Sequence, residues 1–149
     1  MLRDNPAFHY WVFLCIFFFF KMFLNSMIQG YSRFKGNHFI NPEDTEKFAD
    51  KNKEAIQKYI DRDERASRCW RNDLENIPMF LLLSLALVIL GGNPQYCLIY
   101  FIAYACIRSL HTLFYMCAKQ PHRGAAFALG TAITATVAGN CVYLISLSW

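Results

Sequence analysis

The chain has 149 residues, enough for one domain, and 55% of them are hydrophobic and 17% aromatic, above the roughly 45–50% apolar content of an average soluble protein. Of its 26 charged side chains, 15 Lys or Arg and 11 Asp or Glu, 20 fall between residues 31 and 76. That segregation excludes an ordinary soluble domain, and a net charge of +4 is too small and too dispersed for a nucleic-acid-binding surface.

The first apolar stretch, residues 7–30, is long enough to cross a hydrocarbon core of ~30 Å as a helix. Arg3 and Asp4 cancel and no small-x-small cleavage site precedes Tyr31, so it reads as a retained span and not a removed signal. Residues 31–71 form a charged segment. In it Asn41-Pro42-Glu43-Asp44 marks a turn that opens a helical patch, and residues 53–76 are good helix formers expected to run into the second span, 72–91. A Gly91-Gly92-Asn93-Pro94 turn leads to the third span, 95–118, and a short loop at 119–123 leads to the fourth, 124–147. The expected fold is an all-α integral membrane protein, a bundle of four transmembrane helices forming a single membrane domain over 1–149. The six cysteines contain no CxxC pair and five lie in apolar stretches, where cysteine serves as a small hydrophobe. Neither a disulfide framework nor a metal site is expected.

Four spans place 31–71 and 119–123 on one side of the membrane. With the mouth of span two, that side carries 12 of the 15 Lys and Arg, against Arg3 alone on the other. The positive-inside rule makes it cytoplasmic and both termini lumenal.

Charges within spans are costly, ~2.5–3.5 kcal/mol each near the bilayer centre on insertion scales. A rise of ~1.5 Å per residue from the lumenal ends puts Lys21 at ~22 Å, Glu75 at ~24 Å and Arg108 at ~20 Å, one common layer, with His111 at ~24 Å. Arg71 and Tyr115 sit higher, at ~30 Å. An ion pair between Glu75 and Arg108 is therefore expected. Arg68, Arg71, Asn72 and Glu75 stand at i, i+3, i+4 and i+7, and Arg108, His111, Thr112 and Tyr115 repeat that spacing, so each set forms one helical stripe. Placed opposite each other, the stripes would line a polar cleft open to the cytoplasm. Guanidinium groups suit carboxylates, a carboxylate suits an amine, and amide and phenol groups suit peptide-like atoms.

Several motifs, in this order, resemble the membrane-associated proteins in eicosanoid and glutathione metabolism (MAPEG family). They are Lys21-Met22, Arg33, Asn41-Pro42-Glu43-Asp44, Glu64-Arg65, Arg71-Asn72-Asp73-Leu74-Glu75-Asn76, Arg108-x-x-His111-Thr112-x-x-Tyr115 and Gln120-Pro121-x-Arg123. The resemblance covers nearly the whole chain and is nearest to the microsomal glutathione transferase and prostaglandin E synthase branches. It implies a homotrimer in the endoplasmic reticulum membrane, with the outer mitochondrial membrane as the alternative, and glutathione held between neighbouring subunits. The implied glutathione contacts are Arg33, Arg68, Arg71, Asn72, Glu75, His111, Tyr115 and Arg123. Arg123 is implied beside the sulfur, Tyr115 as a hydrogen-bond donor to it, and Asp44 as a catalytic residue in the isomerase branch.

The chain departs from the family pattern at several places. Trp70 replaces a frequent histidine, Pro78 lies one residue early, the Tyr115 to Arg123 spacing is one residue short, and Thr45 stands where the transferase branch can carry a cysteine. Gly124 replaces the serine of the prostaglandin E synthases, which favours the transferase branch. The implied activity is transfer of glutathione to hydrophobic electrophiles arriving through membrane lipid, with reduction of lipid hydroperoxides as a side activity. Isomerisation of a prostaglandin endoperoxide and non-catalytic lipid binding are the alternatives. Cys69, between Arg68 and Arg71, reads as an ordinary interfacial cysteine.

Overall fold

The computed structural model describes residues 2–147; Met1, Ser148 and Trp149, at the ends of the expected 1–149 domain, lie outside them. The described residues form five α-helices and a short 3-10 turn, with no strand among them. Helix α1 spans Pro6–Gly36, α2 Pro42–Phe48, α3 Gln57–Ile89, α4 Pro94–Met116 and α5 His122–Ser146. All but α2 are long and apolar enough to cross a membrane.

Local chemistry sets the helix ends. The Asn5 side chain accepts from the Ala7 N–H at 2.9 Å and Asn93 from the Gln95 N–H at 2.9 Å, each just before a proline in the first turn, which satisfies a donor that the helix leaves open. α1 stops where Asn37 takes a left-handed conformation (φ 51°). α3 stops at a turn in which Gly91 has φ +78° and the Gly92 N–H returns to the Leu87 carbonyl at 2.9 Å. A Cβ on Gly92 would lie 2.9 Å from both Cγ and the carbonyl oxygen of Leu87, so glycine is required there.

At ~1.5 Å per residue α1 and α3 are ~46 and ~50 Å long, well beyond a ~30 Å core. Their charged ends therefore stand clear of it. Those ends are tied together: the Ile56 N–H donates to the Gly36 carbonyl at 3.1 Å, and Asn37 Nδ2 donates to the carbonyls of Asp50 and Lys53 at 2.9 and 2.7 Å. In this loop the Asn52 N–H and then Lys53 hold the Asp50 carboxyl below its ordinary pKa.

α3 packs against all three other spans. Its inward positions, Ala66, Cys69, Asp73, Ile77, Phe80, Ser84 and Leu87, recur at intervals of three and four and are all buried, the repeat of a single helical face. Phe80 stacks on Tyr104 of α4 with centroids 3.6 Å apart, and Phe18 of α1 meets the same ring edge-on at 5.8 Å. Two polar atoms inside this core find backbone partners. Tyr104 Oη donates to the Asn76 carbonyl at 3.1 Å, and Trp11 Nε1 to the Leu81 carbonyl at 3.0 Å.

Candidate functional site

The buried charges form a cluster that differs from the expected one. Asp73, with no exposed surface, accepts from Lys21 Nζ of α1 at 2.5 Å through Oδ2 and from Arg108 Nη2 of α4 at 2.5 Å through Oδ1. Lys21 also donates to Thr112 Oγ1 at 2.7 Å, and Arg108 Nη2 to Asn72 Oδ1 at 2.9 Å. The expected Glu75–Arg108 pair is thus replaced by Asp73–Arg108. At 100° per residue the two acids differ by ~200° around α3, and Asp73 is the one in phase with Ile77 and Phe80. The sequence contains that phase but not which phase faces the bundle. Depth alone fixed the layer and not the direction.

The same rotation corrects the expected cleft. The α4 stripe points inward: Arg108 and His111 are buried and Thr112 belongs to the cluster. On α3, Asn72 alone of its stripe reaches α4. Arg68, Arg71 and Glu75 are exposed, Arg68 pairs among the described residues only with Glu64 on its own helix at 3.2 Å, and Glu75 lies along a groove of about 290 Å³ beside Thr131, Thr134 and Ala135 of α5. Within one chain the two stripes do not face each other.

A third grouping lies where α4 passes into α5. The Arg123 guanidinium sits over the Tyr115 ring, 4.6 Å from its centroid, a favourable contact of a cation with a π face. Gln120, with its amide oxygen turned inward, accepts from Arg123 Nε at 3.2 Å and Nη2 at 2.5 Å. Tyr115 in turn lies 5.7 Å from the His111 ring, and Arg65 Nη1 reaches the Tyr115 carbonyl at 3.4 Å. Arg123, Tyr115 and His111 thus form one continuous unit.

The remaining site residues stand apart from it. Arg33 gives Nε to both oxygens of buried Asp63, at 3.2 and 3.0 Å, and Nη2 to Gln29 at 3.4 Å. Asp63 was not singled out from the sequence, although it lies one turn before Ala66 on the inward face. Asp44, in the first turn of α2, accepts from Asn41 Nδ2 at 3.1 Å. Cys69 is buried in the α3–α4 contact, its Sγ 3.7 Å from Thr112 Oγ1. Among the described residues no group of three His, Cys, Asp or Glu could hold a metal ion.

Comparison with known proteins adds to this geometry. The model of the MAPEG family matches residues 10–143. Microsomal glutathione S-transferase 1 of Sus scrofa is 35% identical over 122 residues, covering 79% of this chain and 77% of that protein, and its Homo sapiens counterpart is 34% identical over the same shares. Prostaglandin E synthase of Bos taurus is 32% identical over 127 residues, covering 83% of this chain and 79% of that protein.

Proposed function

This chain belongs to the MAPEG family, and on that premise we propose that it is a membrane-bound glutathione transferase. It conjugates glutathione to hydrophobic electrophiles and reduces lipid hydroperoxides, as a homotrimer in the endoplasmic reticulum membrane with both termini lumenal. The observation that carries this reading is the outward stripe Arg68, Arg71 and Glu75. Two guanidiniums and a carboxylate are presented at the cytoplasmic end of a membrane helix with no partner from another helix among the described residues. Glutathione offers the matching groups, two carboxylates and one ammonium. A site on the outside of one bundle is completed when a neighbouring subunit supplies the other wall, which is how the trimer enters the proposal.

In that site Arg68 and Arg71 bind carboxylates, Glu75 the ammonium, Asn72 the peptide amides, and Arg33 uses its free Nη1 while Asp63 fixes its orientation. His111 supports Tyr115 from below. Arg123 has the different task. A thiol with pKa near 8.5 is mostly protonated at pH 7, whereas the thiolate is the nucleophile. A guanidinium beside the sulfur favours the anion, and the Tyr115 ring and Gln120 amide hold Arg123 in place for it. Tyr115 Oη can donate to the same sulfur. The second substrate arrives laterally from the lipid.

Similar identity to prostaglandin E synthases supports a second reading, endoperoxide isomerisation with Arg123 and Asp44 as catalytic residues; Gly124 stands against it. Purified protein in detergent, given glutathione with a halogenated nitroaromatic, a lipid hydroperoxide or a prostaglandin endoperoxide, separates the readings. Thioether formation and peroxide reduction are expected. Turnover of the endoperoxide alone would replace the transferase by the isomerase, and failure to bind glutathione would leave non-catalytic lipid binding.

A further inference from the structure

α1 packs more extensively on α3 than on α4, and a furrow runs between α1 and α4 on the outside of the bundle. Its upper part, about 350 Å³, is lined by Phe17, Phe20, Lys21, Leu24, Asn25 and Ile28 of α1 with Ser109 and Thr112 of α4. The lower part, about 290 Å³, continues from the shared Phe17 down to Tyr10, across Ile102 and Ala105. From Asn25 to Tyr10 it is ~22 Å long. The lower walls are almost wholly apolar, and every charged or amide group lies at the upper end.

Two features of that upper end call for a polar ligand group, and the first of them calls for an anion. Lys21 and Arg108 share the single carboxylate of Asp73, so the buried cluster carries two positive charges for one negative. Asn25 is 3% exposed, yet among the described residues neither its amide nitrogen nor its amide oxygen has a partner. A buried amide without hydrogen bonds is destabilising and is expected to gain a partner when the site is filled. Ser109 gives its one hydroxyl proton to the Ala105 carbonyl at 2.8 Å, so the donors at this end are those of Lys21 and Asn25.

The geometry points to a binding site for a single-chain anionic lipid, a long-chain fatty acid, with its carboxylate at Lys21 and Asn25 and its chain lying down the α1–α4 furrow. The carboxylate accepts from Asn25 Nδ2 and offsets the surplus charge of the Lys21–Asp73–Arg108 cluster. Phe13, Phe17 and Ile102, whose faces are 71, 43 and 54% exposed, close on the chain. The carboxylate contacts use neither the outward Arg68, Arg71 and Glu75 nor Arg123.

The test uses the full chain in detergent micelles, titrated with oleate and with methyl oleate, with adducts per chain counted by native mass spectrometry. One oleate per chain is expected, with methyl oleate at least tenfold weaker because it lacks the charge. Leu24→Trp, which fills the furrow without touching the cluster, should abolish the adduct, and Asn25→Leu should weaken it severalfold. Equal binding of the ester and the acid would overturn the carboxylate assignment, and an adduct undiminished in Leu24→Trp would overturn the location. A second copy of the chain as occupant would also overturn it: Leu24→Trp would then dissociate the oligomer.

Discussion

Replacing Asp73 by asparagine should be the most damaging single change to the fold. Its carboxylate is fully buried and neutralises two cations at 2.5 Å each, while the side chains of Lys21 and Arg108 are only 9 and 1% exposed. Removing one member of a buried ion pair costs ~3–5 kcal/mol because the other charge is stranded. Here two are stranded, so Asp73→Asn should cost at least ~4 kcal/mol on that scale. Lys21→Met should cost less, about the ~1.5–3 kcal/mol of a charged hydrogen bond, because it leaves Asp73 paired with Arg108 and removes the surplus charge. In the double mutant Asp73→Asn/Arg108→Met the loss should fall well short of the sum of the single losses. Denaturation in mixed micelles, followed by helical circular dichroism, measures Asp73→Asn, Lys21→Met, Arg108→Met and the double mutant. Glu75→Gln is the control. Glu75 is exposed and has no ion-pair partner among the described residues, so its loss should change stability by less than ~0.5 kcal/mol. If Glu75→Gln destabilised as much as Asp73→Asn, the cluster drawn around Asp73 would be wrong.

Arg71→Ala should raise the glutathione KM with little change in kcat, because it removes contacts made alike in ground and transition states. Arg123→Leu should instead lower kcat and move the ultraviolet signal of bound thiolate to higher pH, since a nearby cation depresses a thiol pKa below about 8.5; thiolate formation at neutral pH equal to wild type would exclude Arg123 from this task. Protease treatment of sealed microsomes should spare tags at both termini, and cleavage of both from the cytoplasmic side would invert the topology. Because the Asp50 carboxyl is held below its ordinary pKa, its bonds to the Asn52 N–H and Lys53 persist above the unfolded value and are lost as pH falls through the depressed one. Carboxyl-carbon NMR should show Asp50 titrating below a free aspartate, and Asn52→Pro, which deletes the donor, should raise that midpoint.

The four spans, the charged extension of α3 and the Gly91-Gly92 turn were legible in the sequence because each follows from local chemistry. Apolar length, charge segregation and turn residues act within a few positions along the chain. The common depth of Lys21 and Arg108 was also legible, since helical rise converts sequence position directly into height in the membrane, whereas their partner Asp73 was not singled out. Direction around each helix was not. In water an apolar face points inward, but a membrane helix meets apolar surroundings both at its neighbours and at the lipid. The pattern on α3 therefore did not say whether Asp73 or Glu75 faced the bundle. Only packing decided it. Phe80 stacking on Tyr104, with Ile77 and Leu87 in the same phase, turns Asp73 toward Lys21 and Arg108 and leaves Arg68, Arg71 and Glu75 outside. Asp63 meets Arg33 for the same reason, one face of one helix being fixed along its whole length once the aromatic contacts at its middle are made.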